Sequence, residues 1–124
     1  MKSFVFGLVW FIILGADSSA PLMVSEVAKE IKEQNIKFPK IVLAQALHET
    51  GNFKCKGCSL DRNNLFGFRY KKKYLEFDNW EQSVAYYARW QSRHYKGGDY
   101  YEFLKDVGYA TDPEYINRLK RFKL

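Results

Sequence analysis

From residue 22 onward apolar side chains recur at helical spacing. Val24, Val27, Ala28 and Ile31 are interleaved with Ser25, Glu26, Lys29, Glu30, Lys32 and Glu33, which predicts an amphipathic helix over 22–35, closed by Asn35 and Pro39. Pro39 can open the next helix at its first position, where a missing N–H costs nothing. Residues 40–50 are apolar almost all round, the pattern of a helix buried in the middle of a domain. Gly51 ends it as the left-handed residue after the cap. No regular pattern runs through residues 51–65. Gly67–Tyr70 and Tyr74–Phe77, on either side of Lys71-Lys72-Lys73, predict a strand–turn–strand. Asn79 followed three residues later by Gln82 is a capping-box signature. It opens a long helix to about Tyr95 with Trp80, Val84, Tyr87, Ala88 and Gln91 on one face, stopped by Gly97-Gly98. Asp99 and Glu102 repeat the capping pattern for a short helix ended by Gly108. Thr111-Asp112-Pro113 opens the last helix, with Tyr115, Ile116 and Leu119 inward. The reading is a mainly α (α+β) chain, with helices around one short β-hairpin.

The first twenty residues follow other rules. Lys2 precedes the apolar run Phe4–Leu14, and Ser18-Ser19-Ala20 supplies small residues where a signal peptidase would cut. The run is short of the ~20 apolar residues a spanning helix needs. Residues 1–20 are therefore expected to be a signal peptide or an N-terminal anchor, with transient membrane association through residues 4–14, and the protein to be exported. Residues 21–124 are expected to form one domain. With 124 residues, 47% of them hydrophobic, the chain is large enough for one core and too small for a multi-domain enzyme.

The net charge of +6 suits a polyanionic partner such as nucleic acid, an anionic membrane or a bacterial wall polymer, without choosing among them. Removing residues 1–20 takes away Lys2 and Asp17 together and leaves that charge unchanged. The only cysteines are Cys55 and Cys58, in Cys-Lys-Gly-Cys. A zinc site would need further ligands, and His48 and His94 do not form a second paired motif. A redox pair would open a helix after a strand, whereas this one lies in a Gly- and Lys-rich loop. A local disulfide or two free thiols remain open, and no metal or cofactor is expected.

Glu49 stands out chemically. It lies in the last turn of the most apolar helix, beside the glycine that ends it. Burial disfavours the ionised carboxylate, and so does the negative end of the helix dipole. Both raise its pKa toward the value a general acid near neutrality requires. Gln45, one turn earlier on the same face, is placed to orient it. The plainer alternative is a helix-terminal glutamate in water.

Leu43-Ala44-Gln45-Ala46-Leu47-His48-Glu49-Thr50-Gly51, Asn63-Asn64-Leu65-Phe66-Gly67-Phe68 and Gly108-Tyr109-Ala110-Thr111-Asp112-Pro113-Glu114-Tyr115 together resemble the bacterial glucosaminidase family. Its members are lysozyme-like endo-β-N-acetylglucosaminidases that cut peptidoglycan glycan strands. The resemblance covers about residues 22–124. It implies a lysozyme-like fold with a small β-lobe, and it places the family's catalytic acid on Glu49. It puts Asn64, Leu65, Phe66 and Gly67 along the floor of the cleft. It also puts an active-site tyrosine on Tyr109, to hold the sugar or the attacking water, with packing between the last two helices as the alternative.

The hairpin is shorter than in larger members, where it carries a second acidic residue. Glycosidases commonly use two carboxylates, although some borrow the substrate's own N-acetyl group. Asp61, Glu76 and Asp78 are the candidates for the second. Tyr86, Tyr87, Trp90, Tyr95, Tyr100 and Tyr101 suit stacking on sugar rings, although most aromatics at this spacing are core. The candidate substrate-binding residues are Gln45, Asn64, Phe66, Phe68, Tyr87 and Trp90. Lys71-Lys72-Lys73 is either a solvated turn or an attractor for wall phosphates and carboxylates. The expected partner is peptidoglycan, met by a monomer and without nucleic acid. The competing readings are an inactive wall-binding module on the same fold and a basic, aromatic-rich nucleic-acid binder.

Overall fold

The computed structural model describes residues 21–124. The export and membrane-association readings of residues 1–20 lie outside the described residues. Helix α1 spans Val24–Glu33 and α2 spans Pro39–Glu49. A 3₁₀ turn follows at Ser59–Arg62, then strands β1 (Arg69–Tyr70) and β2 (Lys73–Tyr74). Helix α3 runs Trp80–His94, α4 Tyr100–Asp106 and α5 Tyr115–Lys120. This is the mainly helical, lysozyme-like arrangement with a small β-lobe that the sequence predicts.

Helix α2 is the centre because its residues leave it no polar face. Val42 to Leu47 are all buried. Helix α1 packs on it through Val27 and Ile31, and α5 through Tyr115 and Leu119. Val84 and Tyr87 of α3, Leu104 of α4 and the Leu65–Phe66 loop complete one core. The C-terminus of α2 is closed by a Schellman turn. Gly51 takes φ +55°, and the Asn52 N–H donates to the Leu47 carbonyl at 2.9 Å. The caps read from sequence are present. The Asn79 side chain accepts from Gln82 N at 3.0 Å, and Asp99 from Glu102 N at 3.0 Å.

The hairpin is shorter than predicted. Only Arg69–Tyr74 and Tyr70–Lys73 pair, antiparallel, although a Leu75 N–H to Phe68 carbonyl bond of 2.9 Å extends the contact. Its turn is Lys71-Lys72, both at positive φ (50° and 71°), a conformation hairpins favour because its twist matches the strands. The last helix starts later than Thr111-Asp112-Pro113 suggests. The Asp112 carboxylate accepts from Glu114 N at 2.9 Å and from Arg118 Nε at 2.8 Å, which holds a turn ahead of Tyr115. Cys55 and Cys58 are paired as a disulfide within the 51–62 loop.

Candidate active site

A cleft of about 620 Å³ opens between the β-lobe and the segment joining α4 to α5. Its walls carry Glu49, Gly67, Phe68, Arg69, Tyr74, Trp90 and the stretch Val107–Thr111. That size is within the range of small-molecule sites. Glu49 reaches it because the Schellman turn ends α2 at that point and sends the chain away, leaving the last-turn side chain facing the opening.

The opposite wall is fitted to Glu49 at one glycine. Gly67 has φ +68°, and a Cβ built there would lie 2.6 Å from Glu49 Oε1. The carboxyl therefore rests on bare backbone, where any Cβ would push it aside. Asn64 holds that backbone in place. Its Nδ2 donates to the carbonyls of Phe68 (2.8 Å) and Leu75 (3.0 Å), and its Oδ1 accepts from Phe66 N (3.3 Å) and Phe68 N (3.1 Å). The Tyr109 hydroxyl donates to the Phe66 carbonyl at 2.8 Å and ties the same loop to the far wall.

Burial pushes the Glu49 carboxyl up to about 7, while a hydrogen bond from the Tyr115 hydroxyl and the charge of Arg69 favour the ionised form. Burial and the neighbouring Tyr115 and Glu49 hold the Tyr109 phenol well above its usual range, so it stays protonated. A protonated carboxyl near neutrality, held in a cleft, is what general-acid chemistry needs. His48, next in sequence, is turned against the Tyr115 ring (centroids 5.4 Å apart), and burial lowers its pKa.

The remaining sequence candidates divide. Phe68 and Trp90 line the cleft with Tyr109, within one aromatic cluster: Trp90 meets Tyr109 edge-on at 5.4 Å, and Phe68 lies 6.1 Å from Tyr109. Gln45, Asn64, Phe66 and Tyr87 are each fully buried and present no surface for a ligand. As substrate-binding residues they are corrected to supporting ones. The Gln45 amide is hydrogen-bonded to the hydroxyls of Tyr87 and Tyr115 rather than to Glu49. Tyr100 is buried with them, and Tyr95 and Tyr101 pack against the same core.

No candidate for the second carboxylate lines the Glu49 cleft. The exposed Asp61 carboxylate accepts from Gly57 N at 2.7 Å and closes the cysteine loop. Glu76 is exposed, 3.8 Å from Arg62, in a separate depression with Lys72, Lys73 and Tyr74. Asp78 is exposed just ahead of α3, where its backbone N–H donates to Gln82. Among the described residues Glu49 is the one carboxylate in the cleft lining.

The sequence reading passed over Arg69, Tyr74 and Tyr115 as site residues. The Arg69 guanidinium lies over the Tyr74 ring at 4.2 Å and donates to its hydroxyl at 2.8 Å. Tyr115 closes the last of the quoted motifs and was legible there. For Arg69 the only sequence signal was its place directly after Gly67-Phe68. No group of His, Cys, Asp and Glu able to hold a metal occurs among the described residues.

No curated protein and no solved structure gives a significant match to the chain. A family model described as mannosyl-glycoprotein endo-beta-N-acetylglucosaminidase matches residues 25–122. That span contains Glu49, Gly67, Tyr109 and Tyr115, and hence the whole cleft wall described above. The chain belongs to the glucosaminidase family, a family of glycoside hydrolases.

Proposed function

We propose that this protein hydrolyses the β-1,4 bond after N-acetylglucosamine in peptidoglycan glycan strands, as an exported monomer, with Glu49 as the general acid. The observation that carries this is a half-buried carboxyl, its pKa pushed up to about 7, that is the one carboxylate among the described residues lining a cleft of about 620 Å³. Protonated Glu49 gives its proton to the glycosidic oxygen as the C1–O bond breaks. The carboxylate left behind is then stabilised by Tyr115 and Arg69.

With no second carboxylate lining the cleft among the described residues, the attacking group in this reading is the substrate's own acetamido oxygen, a recognised exception to the two-carboxylate scheme. It closes on C1 and is later displaced by a water that returns a proton to Glu49. Tyr109 supports this step. Its hydroxyl hydrogen is committed to the Phe66 carbonyl, so its oxygen acts toward the cleft as an acceptor for an acetamido N–H or a water. Phe68, Trp90 and Tyr74 offer the aromatic surface for sugar rings.

The test is mass spectrometry of borohydride-reduced digests of purified sacculi. New reducing ends on N-acetylglucosamine support the reading, and de-N-acetylated strands should resist the intact enzyme. Reducing ends on the other sugar contradict the specificity. Binding to sacculi without release of ends identifies an inactive wall-binding module instead.

A further inference from the structure

The cleft does not end at its β-lobe wall. Tyr74 lines it and also lines a second depression of about 490 Å³, whose other walls are Arg62, Lys72, Lys73 and Glu76. Arg69, in the cleft wall beside Tyr74, is held in a fixed pose. Its guanidinium carbon lies 4.2 Å from the Tyr74 ring centroid, and Nη2 donates to the Tyr74 hydroxyl at 2.8 Å. The Glu76 carboxylate is taken by Arg62 at 3.8 Å, and among the described residues no carboxylate pairs with Arg69, Lys72 or Lys73. Unpaired cations therefore run from the cleft, past the shared Tyr74, into the depression.

The turn that carries these lysines is a costly place for them. Lys71 and Lys72 both take positive φ, 50° and 71°. A hairpin turn of that shape favours Asn, Asp or Gly at both positions, because a Cβ is crowded there. Local folding does not account for a lysine at position 72, and neither does packing, since Lys72 and Lys73 are both exposed. Strain of this kind points to what the side chain does. Lys71 is different in its surroundings: its ammonium lies over the exposed Tyr70 ring at 5.4 Å, and it lines neither hollow. A guanidinium whose plane is fixed is a two-point receptor for a carboxylate, and ammonium groups beyond it add attraction with less demand on geometry.

We propose that the β-lobe is an anion-binding subsite that continues the Glu49 cleft, in which Arg69, Lys72 and Lys73 bind the carboxylates of peptide branches on the glycan strand. The proposal rests on peptidoglycan being the substrate, and it deepens that reading by naming what is recognised beside the bond that breaks. A peptidoglycan strand carries its acyl branches on alternate sugars, so a strand lying in the cleft brings one past the lobe while Glu49 faces the glycosidic oxygen. A plain polymer of N-acetylglucosamine carries no acid and gives the subsite nothing to hold.

The experiment measures co-sedimentation with purified sacculi stripped of phosphate polymers by hydrofluoric acid. All proteins carry Glu49→Gln, so that nothing is cut and Glu49 itself plays no part. Adding Lys72→Gln with Lys73→Gln should weaken binding about fivefold to tenfold in low salt, as expected for two exposed charge pairs, and the gap should close as salt is added. Adding Arg69→Gln should weaken binding in the same sense. Lys71→Gln, which removes a charge from the same turn but from neither hollow, should change binding less than about twofold. On sacculi whose carboxyls have been converted to amides with carbodiimide and ammonia, all four proteins should bind alike. Binding that is unchanged by the lysine pair or by Arg69→Gln overturns the proposal. So does a difference that persists on the amidated sacculi, or an equal loss in Lys71→Gln, which would mean a general attraction of charge. A lysine effect present on untreated sacculi and absent on the stripped ones assigns the lobe to wall phosphates and overturns the carboxylate assignment. If Glu49→Gln alone binds no sacculi and the parent releases no reducing ends, the substrate reading falls and the subsite falls with it.

Discussion

Substituting Gly67 by alanine separates a site effect from a folding effect. The new Cβ would lie 2.6 Å from Glu49 Oε1 and 3.2 Å from its Cδ, at a backbone φ of +68°. A comfortable carbon–oxygen contact is nearer ~3.5 Å, so the carboxyl must retreat by roughly 1 Å. A misplacement of about that size in a reacting group costs on the order of 10²-fold in rate. The left-handed backbone adds about 1–2 kcal/mol of destabilisation for any residue with a Cβ. Gly57 is the matched control. It has φ +72°, nothing within contact range of its added Cβ, and a place in the exposed cysteine loop. Gly57→Ala should therefore show the same loss in urea unfolding with unchanged release of reducing ends from sacculi. Gly67→Ala should show both losses, with the rate falling in kcat rather than KM. Full activity in a folded Gly67→Ala would refute the claim that this glycine seats the carboxyl.

Other expectations follow from the same geometry. The Glu49 pKa of about 7 lies above the 4.5 of an unhindered glutamate, so this group's contribution to stability is full below pH 4.5 and is lost as pH rises through 7. Glu49→Gln, which lacks that titration, should gain roughly 3 kcal/mol over the parent between pH 4 and pH 8 in urea unfolding; parallel curves would place the carboxyl in water. Activity should fall above about pH 7 as the acid loses its proton, and a rate still climbing at pH 9 would be inconsistent with it. Asp61→Asn and Glu76→Gln should each stay within about threefold of the parent, against the 10²-fold or greater loss expected on removing a general acid or base; inactivity in either folded variant would name a second catalytic group. Cys55→Ser with Cys58→Ser should cost about 2 kcal/mol or less for so short a loop and leave the rate unchanged, and an inactive folded double variant would refute this.

The helices were legible because their signals are local. The run from Val42 to Leu47 has no polar face, so α2 had to be central, and Gly51, Asn79 and Asp99 marked where helices end and begin. The placing of Glu49 at the end of the central helix was legible for the same reason, whereas its half-burial was not, since a helix-terminal glutamate can equally reach water. The aromatics were not separable by pattern. Tyr87 and Trp90 are three residues apart on α3, yet Tyr87 is sealed in the core and Trp90 lines the cleft. Which of them meets solvent depends on where the α4–α5 segment lies, a long-range fact. Gln45 and Gln91 looked like a local orienting residue and a face-sharing polar residue. Their partners are 70 and 54 positions away, beyond the reach of spacing arguments. Asp61 and Glu76 were reasonable candidates by distance along the chain, but their loops turn them toward Gly57 N and Arg62.

The most direct measurement of the central claim compares the parent and Glu49→Gln on purified sacculi, counting new reducing ends, with folding established by circular dichroism. The account predicts that the variant keeps the parent's spectrum, still binds sacculi, and releases ends at least about 10²–10⁴-fold more slowly. A folded Glu49→Gln that releases them within about tenfold of the parent would contradict it.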